Sequence, residues 1–400
     1  MSEQKVVTIE KVVFGGKGLS RDLHKIVFVP FTLPGEKVRI QITRERRDYL
    51  EAEAIEIIEP SPARVSPDCP YFGRCGGCQL SHANYEAQLA LKKKVLEETL
   101  QRNQVAYPEI QMFSAAPLAY RHRATLKYDA KHRRLGFYEM QSHHVIDIQE
   151  CLCLTPRLNT LIKVLRNSLA KHPAPKLTEI HCFENDQGET ALHFNAAIPE
   201  GLKNEMAKHA TLPAGGEKGL APLLIRFRDY QFPVQADIFL QVNPQLWKAM
   251  IQEVESHHPK NPQSTAVEFY SGAGFLTLPL SERFGKIVAY DENAVAIAWA
   301  QRRYGASNIV WRREKAENAL LPPDAEVAIV DPPRTGLAHT LVARFLAHPL
   351  KKISYVSCDC PSFARDAKLL SEKFSIRRIA LLDLFPQTFH FEVIALFERG

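Results

Sequence analysis

From about residue 236 the chain settles into regular β–α alternation, and its strands end on polar residues or a glycine turn. Ala266–Tyr270 is an apolar run that enters Ser271-Gly272-Ala273-Gly274. Lys286–Tyr290 ends at Asp291, Val327–Val330 at Asp331-Pro332-Pro333-Arg334, and Ile353–Ser357 at Cys358. Helical segments are expected over Ala294–Arg303 and beyond Ser362. Apolar strands separated by helices need a sheet covered on both faces, and such sheets bind ligands outside the carboxyl ends of their strands. The expected fold is therefore α/β, with a Rossmann-like doubly wound domain over residues 236–400.

The upstream chain follows different rules. Short β-rich runs (Val6–Ile9, Ile26–Val29, Val38–Ile42, Ala52–Ile58) alternate with turns such as Gly15-Gly16-Lys17-Gly18, which predicts a small OB-like barrel over residues 1–60. Pro60-Ser61-Pro62 and Ser66-Pro67 mark a linker. A helix is expected over 84–104, with Tyr85, Leu89, Leu96 and Leu100 on one stripe and Lys92–Lys94 beside it. Short strands and helices then alternate irregularly, so residues 61–235 read as a central α+β region.

With 400 residues, 45% hydrophobic and 24% charged, the chain can support several cores. It has no apolar run of the roughly 18–20 residues that a membrane span needs. The mixed-charge N-terminus does not read as a secretory signal, which suggests the cytoplasm. A net charge of +6 permits a polyanionic partner without identifying one. Its distribution is more telling: residues 121–134 hold six Lys/Arg and two His against one Asp. Tyr120, Tyr128, Phe137 and Tyr138 are interleaved with them, a composition suited to phosphates and stacked bases.

The eight cysteines are clustered. Cys69, Cys75 and Cys78 share one loop, and Cys151 and Cys153 lie close together downstream. Three thiols in ten residues point to a metal, and spacing alone does not separate zinc from an iron–sulfur cluster. Cys182 stands alone and is expected to be a buried structural thiol.

Four constellations on the expected sheet edge carry the chemistry. Glu268, the Gly272/Gly274 turn and Asp291, 17 positions after Gly274, suit an adenosyl ligand. Asp331-Pro332-Pro333-Arg334 projects a carboxylate from a backbone that two prolines stiffen. Cys358 is placed like a nucleophile, although a lone cysteine is more often a small buried residue. Glu392 follows His390 beside an apolar run, where burial would raise its pKa toward that of a base. C5 of uracil cannot displace a sulfonium methyl unaided. A thiolate that adds to C6 makes C5 nucleophilic, and a base must then take the C5 proton.

Read in order, these motifs resemble the RNA 5-methyluridine methyltransferase family over nearly the whole chain. They are the barrel, similar to a TRAM domain, the Cys69-x5-Cys75-x2-Cys78-Gln79 loop, Phe239-Leu240-Gln241-Val242-Asn243-Pro244, Glu268–Gly274, Asp331–Arg334, Ser357-Cys358 and Phe385–Glu392. The resemblance implies C5-methylation of a uridine with S-adenosyl-L-methionine as donor; tRNA and rRNA enzymes share these motifs, and rRNA is favoured over tRNA as the substrate. It implies Cys358 as nucleophile, Glu392 as base and Asp331 beside them, and Gln241, Tyr270, Gly272, Gly274, Asp291 and Asp331 around the cofactor. It also implies a [4Fe–4S] cluster on Cys69, Cys75, Cys78 and Cys151, with Cys153 as the other candidate fourth ligand, and a monomeric RNA-binding enzyme without membrane attachment. Asp359-Cys360 departs from the family's usual Asn-Pro and would raise the Cys358 pKa if the carboxylate were close. Two other readings stay open here, methylation of another base atom and a non-catalytic RNA-binding protein on the same fold.

Overall fold

A computed structural model describes residues 4–212, 223–305 and 308–400. The N-terminal part consists of β1 (Gln4–Thr8), β2 (Lys11–Val12), β3 (Lys17–Ser20), β4 (Ile26–Pro30), β5 (Lys37–Glu45) and β6 (Tyr49–Glu59). They form one sheet in the order β1-β5-β6-β4-β3-β2, antiparallel except where β4 meets β6. Alternate residues such as Val27, Val29, Val38, Ile40, Leu50 and Ala52 turn inward to a separate core. The turn at Gly15-Gly16 is flanked by β2 and β3, two strands too short for the periodicity to reveal.

Next come α1 (Tyr85–Arg102), β7 (Ile110–Phe113), β8 (Arg123–Asp129), β9 (Arg134–Tyr138), β10 (Val145–Asp147), α2 (Pro156–Lys171), β11 (Glu179–Glu184), β12 (Thr190–Phe194) and α3 (Glu200–Met206). Strands β8 to β12 make a five-stranded sheet in the order β10-β9-β8-β11-β12. Ala124, Leu126 and Tyr128 on one face of β8 pack with Leu158, Leu161, Ile162 and Leu165 of α2. Cys182 is fully buried in that core, as expected of a structural thiol.

The remainder contains β13 (Leu224–Phe227), β14 (Tyr230–Pro233), α4 (Trp247–Ser256), β15 (Asn261–Phe269), α5 (Thr277–Ser281), β16 (Phe284–Asp291) and α6 (Ala294–Tyr304). It closes with β17 (Ile309–Arg313), β18 (Ala325–Val330), α7 (His339–Ala347), β19 (Lys352–Ser357), α8 (Cys360–Leu370), β20 (Phe374–Leu382) and β21 (Glu392–Arg399). The large sheet runs β17-β16-β15-β18-β19-β21-β20-β7. The first five strands are parallel, and β21 is inserted antiparallel between β19 and β20. Both faces are covered. Val267, Phe269, Ala328 and Val330 belong to one core, and the intervening Ala266, Val327 and Ile329 to the other. That is the doubly wound α/β arrangement expected from the strand composition.

The expected boundary at residue 235 does not coincide with the edge of this sheet. Strand β7 pairs in parallel with β20, and Val95, Leu96, Leu100, Val105 and Ile110 share a core with the helices behind the sheet. Each such aliphatic side chain contributes about 1.5–3 kcal/mol when fully buried, so the early segment 85–113 is tied firmly to the C-terminal half. Among the described residues, no helix is long and apolar enough to cross a membrane.

Candidate active site at the carboxyl edge of the sheet

Strand register explains how residues far apart in sequence meet. The ladder between β15 and β16 ends at Phe269–Tyr290, and that between β15 and β18 at Phe269–Val330. The next residues out are therefore Tyr270, Asp291 and Asp331, side by side on one edge. Strand β19 pairs with β21 through Ser357–Val393, which sets Cys358 against Glu392, one step beyond that pair. Glu392 begins a strand and Cys358 follows one, yet antiparallel pairing brings them to the same edge.

The glycine turn is tight and open at once. Tyr270, Gly272 and Gly274 all have positive φ (64°, 55° and 91°). A β-carbon on Gly274 would lie 2.6 Å from the Trp311 ring, so only glycine fits there, whereas one on Gly272 would meet nothing within 4 Å. That open space is where a ligand can approach the backbone. A non-glycine residue such as Tyr270 in this conformation stores local strain, which tends to concentrate at binding sites. The Asp291 carboxylate is fixed by two amides, Gly272 N–H (2.7 Å) and Asn293 N–H (2.7 Å). Its remaining lone pairs are left to accept hydroxyl groups.

The segment that carries Gln241 approaches the same edge from another direction. The Asn293 side-chain amide donates to the Asp237 carbonyl (2.5 Å), and Ile238 packs on Ala273 of the glycine turn. The segment 237–243 therefore lies across the ends of β15 and β16. Gln241 is buried with its Oε1 unpaired, and Glu268 Oε2, Ser271 Oγ and Glu392 Oε2 are unpaired as well. Buried polar atoms without partners are rare in folded proteins, and Glu268, Ser271 and Glu392 each lie within two residues of a strand end at this edge.

Electrostatics point the same way. Burial pushes Glu268 up to about 8, with Asp331 and Asp291 adding repulsion, and burial pushes Asp331 up to about 7. Glu392 is held well above the usual carboxylate range by burial and by Asp331, against a weaker opposing pull from Arg334. Three carboxyl groups with so little positive charge among them suit a cationic ligand.

The Cys358 thiol is half-buried and pushed up to about 12, first by burial and then by Glu392 and Asp331, with Arg334 opposing. Asp359 adds a smaller upward push. Its carboxylate is engaged elsewhere as the N-cap of α8, accepting from Ser362 N–H (3.0 Å) and Ser362 Oγ (2.8 Å). The sequence-level concern about Asp359 thus has a limited effect. Arg334 donates to His390 Nε2 (3.3 Å), and burial together with that guanidinium lowers the imidazole to about 4, keeping it neutral.

The thiols of the central region also converge. Cys78 Sγ lies 3.8 Å from Cys153 Sγ. Cys69 and Cys75 are raised chiefly by burial, and Cys78 and Cys151 add to both. Cys151 lies close enough to Cys69, Cys75 and Cys78 for its charge to bear on all three, and it is lowered to about 6 through the hydrogen bond from Cys153. Among the described residues, no group of three or more His, Cys, Asp or Glu side chains already has the arrangement of a metal-ion site.

The basic segment 121–134 differs from its expected reading in one respect. Tyr120, outside any strand, and Tyr128, turned inward by the alternation of β8, are core residues; Phe137 is half-buried and Tyr138 is exposed. Arg123, Thr125 and Lys127 lie partly buried on the opposite face of β8, where Lys127 pairs with Glu179 and Thr125 with His181. There the Arg123 guanidinium sits 5.8 Å from the centroid of Phe239, which is 63% exposed.

The chain is similar to known proteins along nearly its whole length. The family profile described as tRNA (Uracil-5-)-methyltransferase matches residues 319–400, and the TRAM domain profile matches residues 3–55. An uncharacterized RNA methyltransferase from Aquifex aeolicus is 34% identical, over 98% of this chain and 98% of its own length. The 23S rRNA (uracil(1939)-C(5))-methyltransferase RlmD of Chromohalobacter salexigens is 31% identical, over 98% of this chain and 89% of its own. The crystal structure of Pyrococcus abyssi tRNA (uracil-54, C5)-methyltransferase in complex with S-adenosyl-L-homocysteine superposes with a TM-score of 0.78 at 24% identity, covering 98% and 99% of the two chains. Relatives above 30% identity along nearly the whole length, together with both family profiles, establish that the chain belongs to the RNA uracil-C5 methyltransferase family.

Proposed function

We propose that this enzyme methylates C5 of a uridine in ribosomal RNA through a covalent bond between Cys358 and C6 of the base. The pairing of β19 with β21, which sets a thiol against a buried carboxyl at the mouth of the sheet, is the observation that carries the reading. Methylation of a ring nitrogen or exocyclic amine needs neither group, because those atoms have their own lone pairs.

S-adenosyl-L-methionine, when bound, supplies the electrophilic methyl group that C5 accepts. The Gly272 and Gly274 turn, Tyr270 and Asp291 would hold its adenosyl part, and Gln241 and Asp331 would face its charged end. Unpaired Gln241 Oε1 and the raised Asp331 carboxyl fit such a cation. Cys358 adds to C6 as the thiolate, and electrons move through C5 to O4, which makes C5 nucleophilic. Once C5 carries the methyl group, Glu392 takes the C5 proton, the C5–C6 double bond re-forms and the thiolate leaves. Glu392 has the environment of such a base, since burial raises its proton affinity. The target base must leave its stack to reach this edge.

Cys69, Cys75, Cys78 and Cys151 would hold a [4Fe–4S] cluster. An all-thiol donor set brought together from two loops fits iron–sulfur ligation, with Cys153, whose Sγ lies 3.8 Å from Cys78 Sγ, as the other candidate for the fourth ligand. No step of the reaction passes through this group. Partly buried Arg123 and exposed Phe239 beside it would contact RNA, the cation on a phosphate and the ring on a base.

The ribosomal preference rests on the RlmD relative. Nucleoside mass spectrometry of separated rRNA and tRNA from a strain lacking the gene tests it. The expected result is loss of 5-methyluridine from rRNA alone. Its loss from tRNA with rRNA unchanged would overturn the substrate assignment.

A further inference from the structure

The loop joining β20 to β21, residues 383–391, has no regular structure and ends on Glu392. Its shape is imposed from outside, largely by one face of α1. Asp383 opens the loop, fully buried, and accepts from the Lys92 ammonium (2.6 Å) and the Tyr85 hydroxyl (3.0 Å). Lys92 also donates to the Phe385 carbonyl (3.0 Å). At mid-loop, Gln387 is held at φ 70°, a left-handed conformation that strains a non-glycine residue. External hydrogen bonds offset that strain. Gln387 N–H donates to Gln88 Oε1 (2.9 Å), and Gln88 Nε2 donates to Gln387 Oε1 (3.1 Å). The Gln79 and Leu80 amides, next to Cys78 in the thiol loop, both donate to the Gln387 carbonyl (3.0 and 2.9 Å). Tyr120 Oη donates to the Pro386 carbonyl (3.0 Å).

Tyr85, Gln88 and Lys92 follow an i, i+3, i+7 spacing, so they share one helix face. Lys92 is 2% exposed. A buried ion pair is a poor source of stability, because apolar residues of similar volume usually serve as well, and its attested use is to fix one geometry. Here the geometry it fixes is that of the catalytic loop. The Lys92 charge also bears on His390 and interacts with Cys78, which places it between the thiol loop and the active site.

We propose that Gln88 and Lys92 are positioning residues for proton removal: α1 is a strut that holds the 383–391 loop so that Glu392 faces the carbon it deprotonates. This rests on the covalent mechanism proposed above. A misplaced Glu392 slows release of the Cys358 adduct while leaving its formation, in which Glu392 has no assigned part, nearly untouched.

The test uses unmethylated rRNA from the deletion strain, the full-length enzyme and its methyl donor in single turnover. Protein–RNA adduct is followed on denaturing gels to obtain formation and release rates. Their ratio does not depend on the fraction of enzyme that is folded. Gln88→Leu and the harsher Lys92→Met should each lower the release-to-formation ratio by about tenfold or more, toward the roughly 10²-fold that a 1 Å misplacement can cost. A ratio equal to wild type in both variants, whatever their overall activity, would overturn the strut. Glu392→Gln serves as control: if it and every other variant fail to show adduct, the covalent reading itself falls and the inference with it.

Discussion

Cys358→Ala is expected to lose methyl transfer to RNA by a factor on the order of 10⁴ or more, the scale on which removal of a covalent nucleophile acts. Without the thiol, C6 has no partner and C5 remains an unreactive alkene carbon. The substitution removes one half-buried sulfur at the end of β19 and leaves the glycine turn and Asp291 unchanged. Affinity for the methyl donor should therefore stay within a few-fold of wild type, measured by titration calorimetry in parallel with single-turnover transfer. Turnover within about a hundredfold of wild type would remove Cys358 from the nucleophile's role. The raised thiol pKa adds a condition: burial holds the group protonated in the resting enzyme, so docking of the base must accompany loss of that proton. Arg334, the nearby charge that pulls the thiol down, is placed to assist.

Glu392→Gln should separate the two halves of the reaction. The amide keeps the volume of the buried side chain but cannot accept a proton from C5. Adduct formation is expected to persist, and release to slow by roughly 10²–10⁴-fold, the usual contribution of a positioned general base. The enzyme should then accumulate as a covalent complex with methylated RNA, seen as a mass increase on the peptide that carries Cys358. In the wild type, release should quicken as pH rises through the elevated pKa of Glu392, since only the carboxylate accepts the proton. Glu392→Gln should abolish that dependence. Wild-type release rates in this variant would exclude Glu392 as the base.

Much of this site was legible because it lies where parallel strands stop. Asp291, Asp331 and Cys358 each follow an apolar run long enough to read as a buried strand, and a doubly wound sheet aligns such ends. Glu392 was harder, since it starts its strand and reaches the same edge only because β21 runs antiparallel to β19. Pairing across a sheet depends on contacts between distant segments, and local periodicity carries no trace of them. The same limit hid β7, which pairs with β20 across more than 260 residues of chain. Lys92 shows it most clearly. Its sequence position shows only that it lies beside the stripe of Leu96 and Leu100; Asp383, 291 residues away, and the Phe385 carbonyl make its burial tolerable. The aromatic residues around 121–134 gave the opposite difficulty. Composition placed rings among cations, whereas alternation along β8 sends Tyr128 into the core and leaves Arg123 and Lys127 partly buried on the other face.

The most direct test of the covalent mechanism is an intact-mass measurement of the wild-type enzyme after incubation with its methyl donor and RNA carrying 5-fluorouridine at the target position. Fluorine at C5 cannot be taken as a proton, so the reaction should halt after methylation with enzyme and RNA joined. The expected spectrum shows a stable protein–RNA complex bearing one added methyl group, its linkage mapping to Cys358. Free protein alone, from a preparation that methylates the unsubstituted RNA, would contradict the mechanism.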